Sequence, residues 1–458
     1  MLKNEHGFTL IEMIIAISMF CLIILASSTV YIPIMYQFGQ QTKISESQTR
    51  TMVGLELLKN DINNAGYALP WSFLNPINYS EFNDNGAPKI TNPANANDST
   101  NLVPRAIVVG NNLSLVGQNI TMIPNTDYLV IKSALASNLS KVTNAVCGSQ
   151  IVANTTCKKW TYVYYTLTSG ITLNIWQNNV ADIENMTNIT DNVLVMRPSS
   201  SDETTKNILI SDAAGNFTTP YRNDGNFDPN FAPNENNVTY ILYGIDGNTT
   251  PRMPFNRADY YVSKRRCSLS PKTYCTSASG CSTAQGICSP SYCADNTGVL
   301  VKAAISHVNG STDIDGDGMP DEIPILDCVA DFQVVLGFDT DGDGLVGTYS
   351  DLTTATTIPP ETATIANVIT TMGDPTTIGD PALIRTQLKS IHLYILTHEG
   401  MMDKSFVYPA KTIAVGEALG GGPVLGNASF DLTTINNYKM YRWRVIKMTI
   451  KPSNLYPQ

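Results

Sequence analysis

The chain has 458 residues, with 29 Lys and Arg against 39 Asp and Glu, so a formal net charge of −10, and only 15% of its residues are charged. Low charge with 43% apolar content allows a sizeable core and excludes a chain disordered throughout. The acidic balance argues against nucleic acid as a partner, because phosphate binding needs clustered Lys and Arg. Nine cysteines occur without one C-x-x-C pair, which leaves paired-knuckle zinc, thioredoxin-like redox and haem attachment without support and points to an exported, oxidised protein.

The chain opens on a hydrophilic leader, residues 1–7 (MLKNEHG), followed at Phe8–Ile32 by 25 residues carrying a single charge, Glu12. At 1.5 Å per residue this run reaches about 37 Å, enough to cross a bilayer with some tilt. It is the one segment long and apolar enough to do so. By itself the run reads as a plain signal anchor. Glu12 adds to that, because a carboxylate inside a spanning helix costs roughly 2.5–3.5 kcal/mol and calls for a partner. Cys21, within the run, reads as a small buried hydrophobe.

Gly7 to Glu12 (GFTLIE) resembles the processing site of type IV pilins and pseudopilins: a short leader ending in Gly, then Phe, then Glu as the fifth mature residue heading a long apolar helix. The resemblance implies cleavage between Gly7 and Phe8 by a prepilin peptidase and N-methylation of Phe8. It also implies that Glu12 of an incoming subunit pairs with the Phe8 amine of a neighbour during assembly. The helix would anchor the protein in the inner membrane first and form filament core afterwards.

Beyond Ile32 the helix is expected to continue over 33–66 as an amphipathic half, kinked at Pro33. Leu55, Leu58, Ile62 and Ala65 recur at helical spacing between Glu56, Lys59, Asp61 and Asn63, and Gly66 reads as the stop. Residues 67–458 form the expected extracytoplasmic head. Asn holds 14 of the 70 positions from Asp61 to Val130, which reads as loop because Asn side chains compete with backbone pairing. Strands are expected at Tyr128–Lys132, Trp160–Leu167, Ile171–Trp176 (a hairpin through Ser169-Gly170), Val238–Ile245, Ala330–Phe338, Ile391–Thr397 and Met440–Pro452, with a helix at Asp380–Ser390. A long helix followed by an antiparallel sheet makes the fold class α+β. Three blocks, LDCVADFQVVLGFDTDGDG, LKSIHLYILTHEG and YRWRVIKMTIKPSNL, with NDINNAGY after the long helix, resemble large minor pilins of the PilW type.

Eight cysteines follow the apolar run: Cys147, Cys157, Cys267, Cys275, Cys281, Cys288, Cys293 and Cys328. An even count suits four disulfides, with Cys147 and Cys157 near enough to pair locally and the remaining connectivity open. A cysteine-rich insert over 262–329, rich in Ser, Thr, Pro and Gly around Cys267 to Cys293, cannot build its own core and needs such staples. Metal binding by these thiols is the alternative.

Two acidic loops over 313–351 carry the clearest chemistry. Asp313, Asp315, Asp317 and Asp321 form one; Asp339, Asp341 and Asp343, followed by Asp351, form the other. Alternate carboxylates around a Gly at the sixth place are EF-hand logic for calcium. Neither loop supplies the bidentate Glu at the twelfth place, where Pro324 and Ser350 stand. One or two Ca²⁺ ions are expected, without an EF-hand fold. Gly342, Gly344 and Gly347 mimic a dinucleotide fingerprint, but Asp341 and Asp343 would repel a pyrophosphate. His398-Glu399 lacks the second His of a metalloprotease helix, and no catalytic residue is assigned. The expectation is therefore a structural protein: a minor pilin that enters, primes or decorates a type IV filament alongside other pilins, the prepilin peptidase and an inner-membrane assembly platform, its head at the cell surface. A type II secretion pseudopilin, or a pilus-tip adhesin with a carbohydrate- or surface-binding head, is the alternative.

Overall fold

In a computed structural model, the structure describes residues 9–82, 97–98, 102–114, 120–136, 161–166, 192–197, 207–220, 228, 230–231, 239–245, 251–270, 272–313, 319–358, 368, 371–372, 379–419 and 422–455. The expected strand Ile171–Trp176 and its hairpin turn, Gly7, Phe8, Cys147, Cys157, Asp315 and Asp317 lie outside these residues. A single helix, α1 (Leu10–Asn63), begins at Thr9, whose side chain and that of Glu12 form a reciprocal capping box that satisfies two orphan backbone donors. The backbone stays helical through Pro33. It ends three residues before Gly66, which instead turns the chain with φ +80°.

The strands follow as β1 (Ser72–Phe73), β2 (Ile107–Leu113), β3 (Thr126–Ser133), β4 (Thr161–Thr166), β5 (Asn192–Arg197), β6 (Ile208–Leu209), β7 (Thr219–Pro220) and β8 (Thr239–Ile245). Then come β9 (Asn256–Cys267), β10 (Tyr274–Cys275), β11 (Cys288–Ser289), β12 (Gly298–Ala304), β13 (Glu322–Phe338), β14 (Thr348–Ser350) and β15 (Ala355–Thr357). A short helix, α2 (Pro381–Gln387), leads into β16 (Leu388–Glu399), β17 (Thr412–Ala418), β18 (Val424–Asp431) and β19 (Arg442–Ile450). Among the described residues, the larger sheet runs β15-β14-β13-β12-β9-β3-β2, with β10 and β11 on the far end of β9 and β16 then β19 on the other side of β13. Its pairings are all antiparallel. A smaller sheet runs β1-β6-β5-β8-β4 with β7 on β5, and β17–β18 form a separate hairpin. The α+β fold, a long apolar-headed helix followed by a large antiparallel sheet, is the one expected.

The last third of α1 lies on one face of the larger sheet. Leu58 and Ile62 enter a core with Phe332, Val334 and Leu336 of β13 and Ile391, Leu393 and Ile395 of β16. The β17–β18 hairpin covers the opposite face, where Val415 and Leu425 pack on Val335, Tyr394 and Leu396. With both faces covered, β13 and β16 are buried almost end to end, as strands in the middle of a layered domain are. Gly54 sets how closely helix and sheet approach. A Cβ there would stand 2.0 Å from the carbonyl oxygen of Ile325, so any larger residue would push α1 off β13.

Several expectations change. The Asn-rich stretch is not all loop: Ile107–Leu113 is a strand of the larger sheet, buried at five of its seven positions, because tertiary pairing outweighs the turn preference of Asn111 and Asn112. Ala330–Phe338 is the second half of a 17-residue strand, and the helix expected over Asp380–Ser390 spans only Pro381–Gln387, since Leu388 already pairs with Phe338. The cysteine-rich insert is shorter than 262–329. Its ends belong to β9, β12 and β13, central strands of the sheet, and the insert proper is 268–297.

Candidate functional site

The chemistry of the N-terminal end rests on Glu12. Its Oε2 accepts from the Thr9 backbone N–H and from the Thr9 hydroxyl, both at 2.9 Å, so within one chain the carboxylate closes its own helix start. The run Leu10–Thr29 is long and apolar enough to cross a membrane, and none of it is buried. Of the described side chains further along the helix, Tyr31, Ile34, Met35, Phe38, Met52 and Val53 are exposed, while Thr51 turns inward. Cys21 is a free thiol on the exposed run. One helix thus presents an apolar rod at one end and is locked into the head at the other.

Among the described residues, six cysteines form three disulfides: Cys267–Cys281, Cys275–Cys288 and Cys293–Cys328. The first two interleave, one tying the insert to the end of β9 and the other tying it to itself, while the third ties it to β13. Cys328 sits where the β12–β13 register shifts, between Gly298↔Val329 and Leu300↔Leu326, with φ +59°. The Thr397 hydroxyl donates to the carbonyls of Asp327 and Cys328 at 3.0 and 3.1 Å, satisfying the groups that the bulge frees. Arg265 holds the insert from inside. Its guanidinium donates to the carbonyls of Thr276, Pro290, Cys293 and Ala294 at 2.6–3.2 Å. His398 lies beside the third bridge, its Nε2 accepting from the Ala294 N–H at 2.9 Å, and burial followed by the nearby Arg265 charge brings its pKa down to about 3.

The two acidic loops stand at opposite ends of β13, the first before Glu322 and the second after Phe338. Seventeen residues of strand separate them by about 50 Å, so they cannot share an ion. In the second loop, ligand oxygens of Asp339, Asp341 and Asp343 lie within 4.8 Å of one another. Asp339 is buried and accepts from the N–H groups of Gly342 and Gly344 at 2.7 and 2.9 Å, with Gly342 and Gly344 at φ +81° and +89°. Lys389 approaches the same carboxylate at 3.5 Å. The oxygen-only donor set suits a hard cation such as calcium. Asp351 does not join this group: its carboxylate accepts from Thr353 N, Thr354 N and, across to the hairpin, Gly426 N. In the first loop, Asp313 is buried and its N–H donates to the Ser311 hydroxyl, while the Asp321 N–H donates to the Thr312 carbonyl at 2.8 Å.

Sequence reasoning missed a fully buried ionic network beneath β2, β3 and β9. Lys132 donates to Glu81 at 2.8 Å and to Asp98 at 2.5 Å; Arg105 pairs with Asp98 at 2.6 Å; Arg257 pairs with Glu81 at 2.9 Å and Asp259 at 2.7 Å. Three cations meet three carboxylates, so the buried charge cancels. The alternation of Arg257 and Asp259 on β9 and the Lys132 inside YLVIK were the available signals, but nothing local showed that both faces would be covered.

A family model for the prokaryotic N-terminal methylation motif matches residues 2–28. No curated protein and no solved structure gives a match.

Proposed function

We propose, on the premise that the chain carries a prokaryotic N-terminal methylation motif of the type IV pilin kind, that it is a large minor pilin of the PilW type. In this reading it inserts in the inner membrane by its apolar helix, loses residues 1–7 to a prepilin peptidase, is methylated on Phe8, and enters or primes a filament. Its role is structural rather than catalytic, and its partners are other pilins and the assembly platform. One observation carries the reading: the helix that bears the motif has no buried residue over Leu10–Thr29 yet is fixed to the head from Thr51 onward. Such a rod is unsuited to water alone, because apolar surface on this scale needs a bilayer or other helices around it. A packed bundle of like helices would cover the rod and give Glu12 a cationic partner.

Intact-mass analysis of the membrane-extracted protein tests the processing step: loss of Met1–Gly7 and one added methyl are expected, and an uncleaved chain beside an active peptidase rules the reading out. Glu12→Ala should insert normally but fail to enter filaments. A deletion strain separates roles, since lost filaments mean assembly, whereas normal filaments with lost adherence mean a tip adhesin.

The convergence of Asp339, Asp341 and Asp343 favours calcium at the second loop, with the first loop as a second site. Ca²⁺ at a hundredfold over its Kd would stabilise the head by about 2.7 kcal/mol per site. Melting identical in calcium and in chelator would make both loops ordinary acidic turns.

A further inference from the structure

Where α1 meets the sheet, Thr49, Val53 and Leu57 line one side of a groove of about 1260 Å³. Ile323 and Pro324 of β13 and Lys264 of β9 line the other. Gly54 and Ile325, whose close approach sets the helix on the sheet, border the same groove. Its apolar groups are not covered: Leu57 and Ile323 are half-buried, Pro324 is exposed, and Val53 is 69% exposed. The space exceeds that of ordinary small-molecule pockets. From Thr49 to Leu57 its helical side is about 13 Å long, which suits a segment of protein.

The same helix carries an apolar stripe that the head leaves uncovered. Tyr31, Ile34, Met35 and Phe38 stand at i, i+3, i+4 and i+7 and are 50–66% exposed, so they share one face. They follow Leu10–Thr29, whose 20 residues already span about 30 Å, the thickness of a hydrocarbon core. A bilayer around that run leaves the stripe at or beyond its edge. Large apolar side chains at this spacing are the anchors of a helix that docks in a groove. From Tyr31 to Phe38 the stripe is about 12 Å long, which matches the helical side of the groove. It cannot reach the groove of its own chain. Both lie on one continuous helix, with the centre of the stripe and Val53 about 28 Å apart along the axis.

We propose that the groove beside Gly54 receives the Tyr31–Phe38 stripe of a second copy of this chain, its helix parallel to the first and displaced outward by about 28 Å. The inference rests on the reading that the rod packs among like helices. Docking takes two uncovered apolar surfaces out of water together. The same displacement lays the Leu10–Thr29 run of the second copy beside residues 29–47 of the first, roughly 18 positions further on, and so covers the stripe there. A stripe on one copy meeting a groove elsewhere on the next is a heterologous contact. With an axial displacement it cannot close into a ring, so its repetition builds an open stack.

The test places a photo-crosslinking phenylalanine analogue at Phe38 of the full chain, in cells that make two differently tagged copies and an active prepilin peptidase. Illumination should join the two tags, and peptide mapping should connect position 38 of one copy to residues 49–57 or 323–324 of the other. Val53→Glu, at a side chain that its own fold leaves exposed, should lower the yield of this product about tenfold. The melting temperature of the detergent-solubilised chain should not move with it, which separates lost docking from lost folding. Products that join position 38 to residues 31–38 of the other copy would mean helices packed in register and overturn the proposal. Joined tags that Val53→Glu leaves undiminished, or products formed only with a different polypeptide, would overturn it equally. Intact mass of the same sample tells the two failures apart. No joined tags in a chain that has lost Met1–Gly7 sinks the docking alone, whereas an uncleaved chain without joined tags sinks the filament reading and the contact with it.

Discussion

Lys302 of β12 donates its ammonium to the carboxylate of Asp61 in the last turn of α1, an ion pair that spans 241 residues of sequence. The Tyr260 hydroxyl of β9 donates to the same oxygen at 2.5 Å. Apolar contact is non-directional, so this pair, with the Asn63 carbonyl accepting from the Ser453 N–H and hydroxyl at 3.1 and 3.0 Å, fixes the rotation of the helix end. Burial raises the Asp61 carboxyl above its ordinary range, with the Lys302 charge working against it.

Removing the cation alone should therefore be severe. Lys302→Met leaves a buried carboxylate without its charge partner and should cost about 3–5 kcal/mol, whereas Lys302→Met with Asp61→Leu should recover most of the loss. Urea unfolding of the four proteins of this cycle measures the coupling. Additive effects would mean that the pair does not act as a unit.

Gly54→Val should lift α1 from β13, because the obstructing atom is the Ile325 backbone carbonyl and cannot rotate away. Overpacking of this kind costs about 1–3 kcal/mol, and the melting temperature of the detergent-solubilised chain should fall accordingly. Gly39 has nothing within 4 Å of its would-be Cβ. Gly39→Ala should leave the head unchanged in the same assay.

Lys132→Met leaves Glu81 and Asp98 sharing a buried site with one cation fewer, at a cost of about 3–5 kcal/mol. Lys132→Arg should not restore stability, since a compact ammonium bridges the two carboxylates and a planar fork cannot take its place. Denaturant midpoints of both variants check this. The deficit should change little with salt, because buried pairs are poorly screened.

His398 predicts the acid behaviour. Its folded pKa, lowered to about 3 by burial and the nearby Arg265 charge, lies below the ordinary histidine value of 6.5. The unfolded chain therefore takes up a proton first as pH falls, and stability that is full above 6.5 is lost between 6.5 and 3, on the order of 5 kcal/mol in all. His398→Gln should flatten that part of the melting-temperature profile measured from pH 7.5 to 4. A variant as steep as the parent would place the titrating group elsewhere.

Much of this protein was legible one residue at a time. The leader, the apolar run and Glu12 carry the N-terminal methylation motif, because the length and polarity of such a segment are written in one contiguous stretch. Tyr128–Lys132, Val238–Ile245 and Met440–Pro452 each fall on a strand to within a few residues, since local alternation records a sheet surface. The repeated DxDxDG places Asp339, Asp341 and Asp343 together because the whole turn is local in sequence.

Other features depended on which surfaces meet. Asp331 and Gln333 lie in the expected strand Ala330–Phe338, and nothing local says that the β17–β18 hairpin, some 90 residues further on, covers them. Asp351 follows the second acidic loop by eight residues, but β14 turns it toward Gly426 instead of Asp343. Gly54 looks like any helix glycine until Ile325 is laid across it. Sequence by itself determined the motif-bearing terminus and several of the strands, where the deciding interactions lie within a few residues. Only the tertiary structure decided the burial of Asp127, Asp331, Lys132 and Arg257, because the cost of burying a charge depends on what closes over it, and those covering segments are distant in sequence.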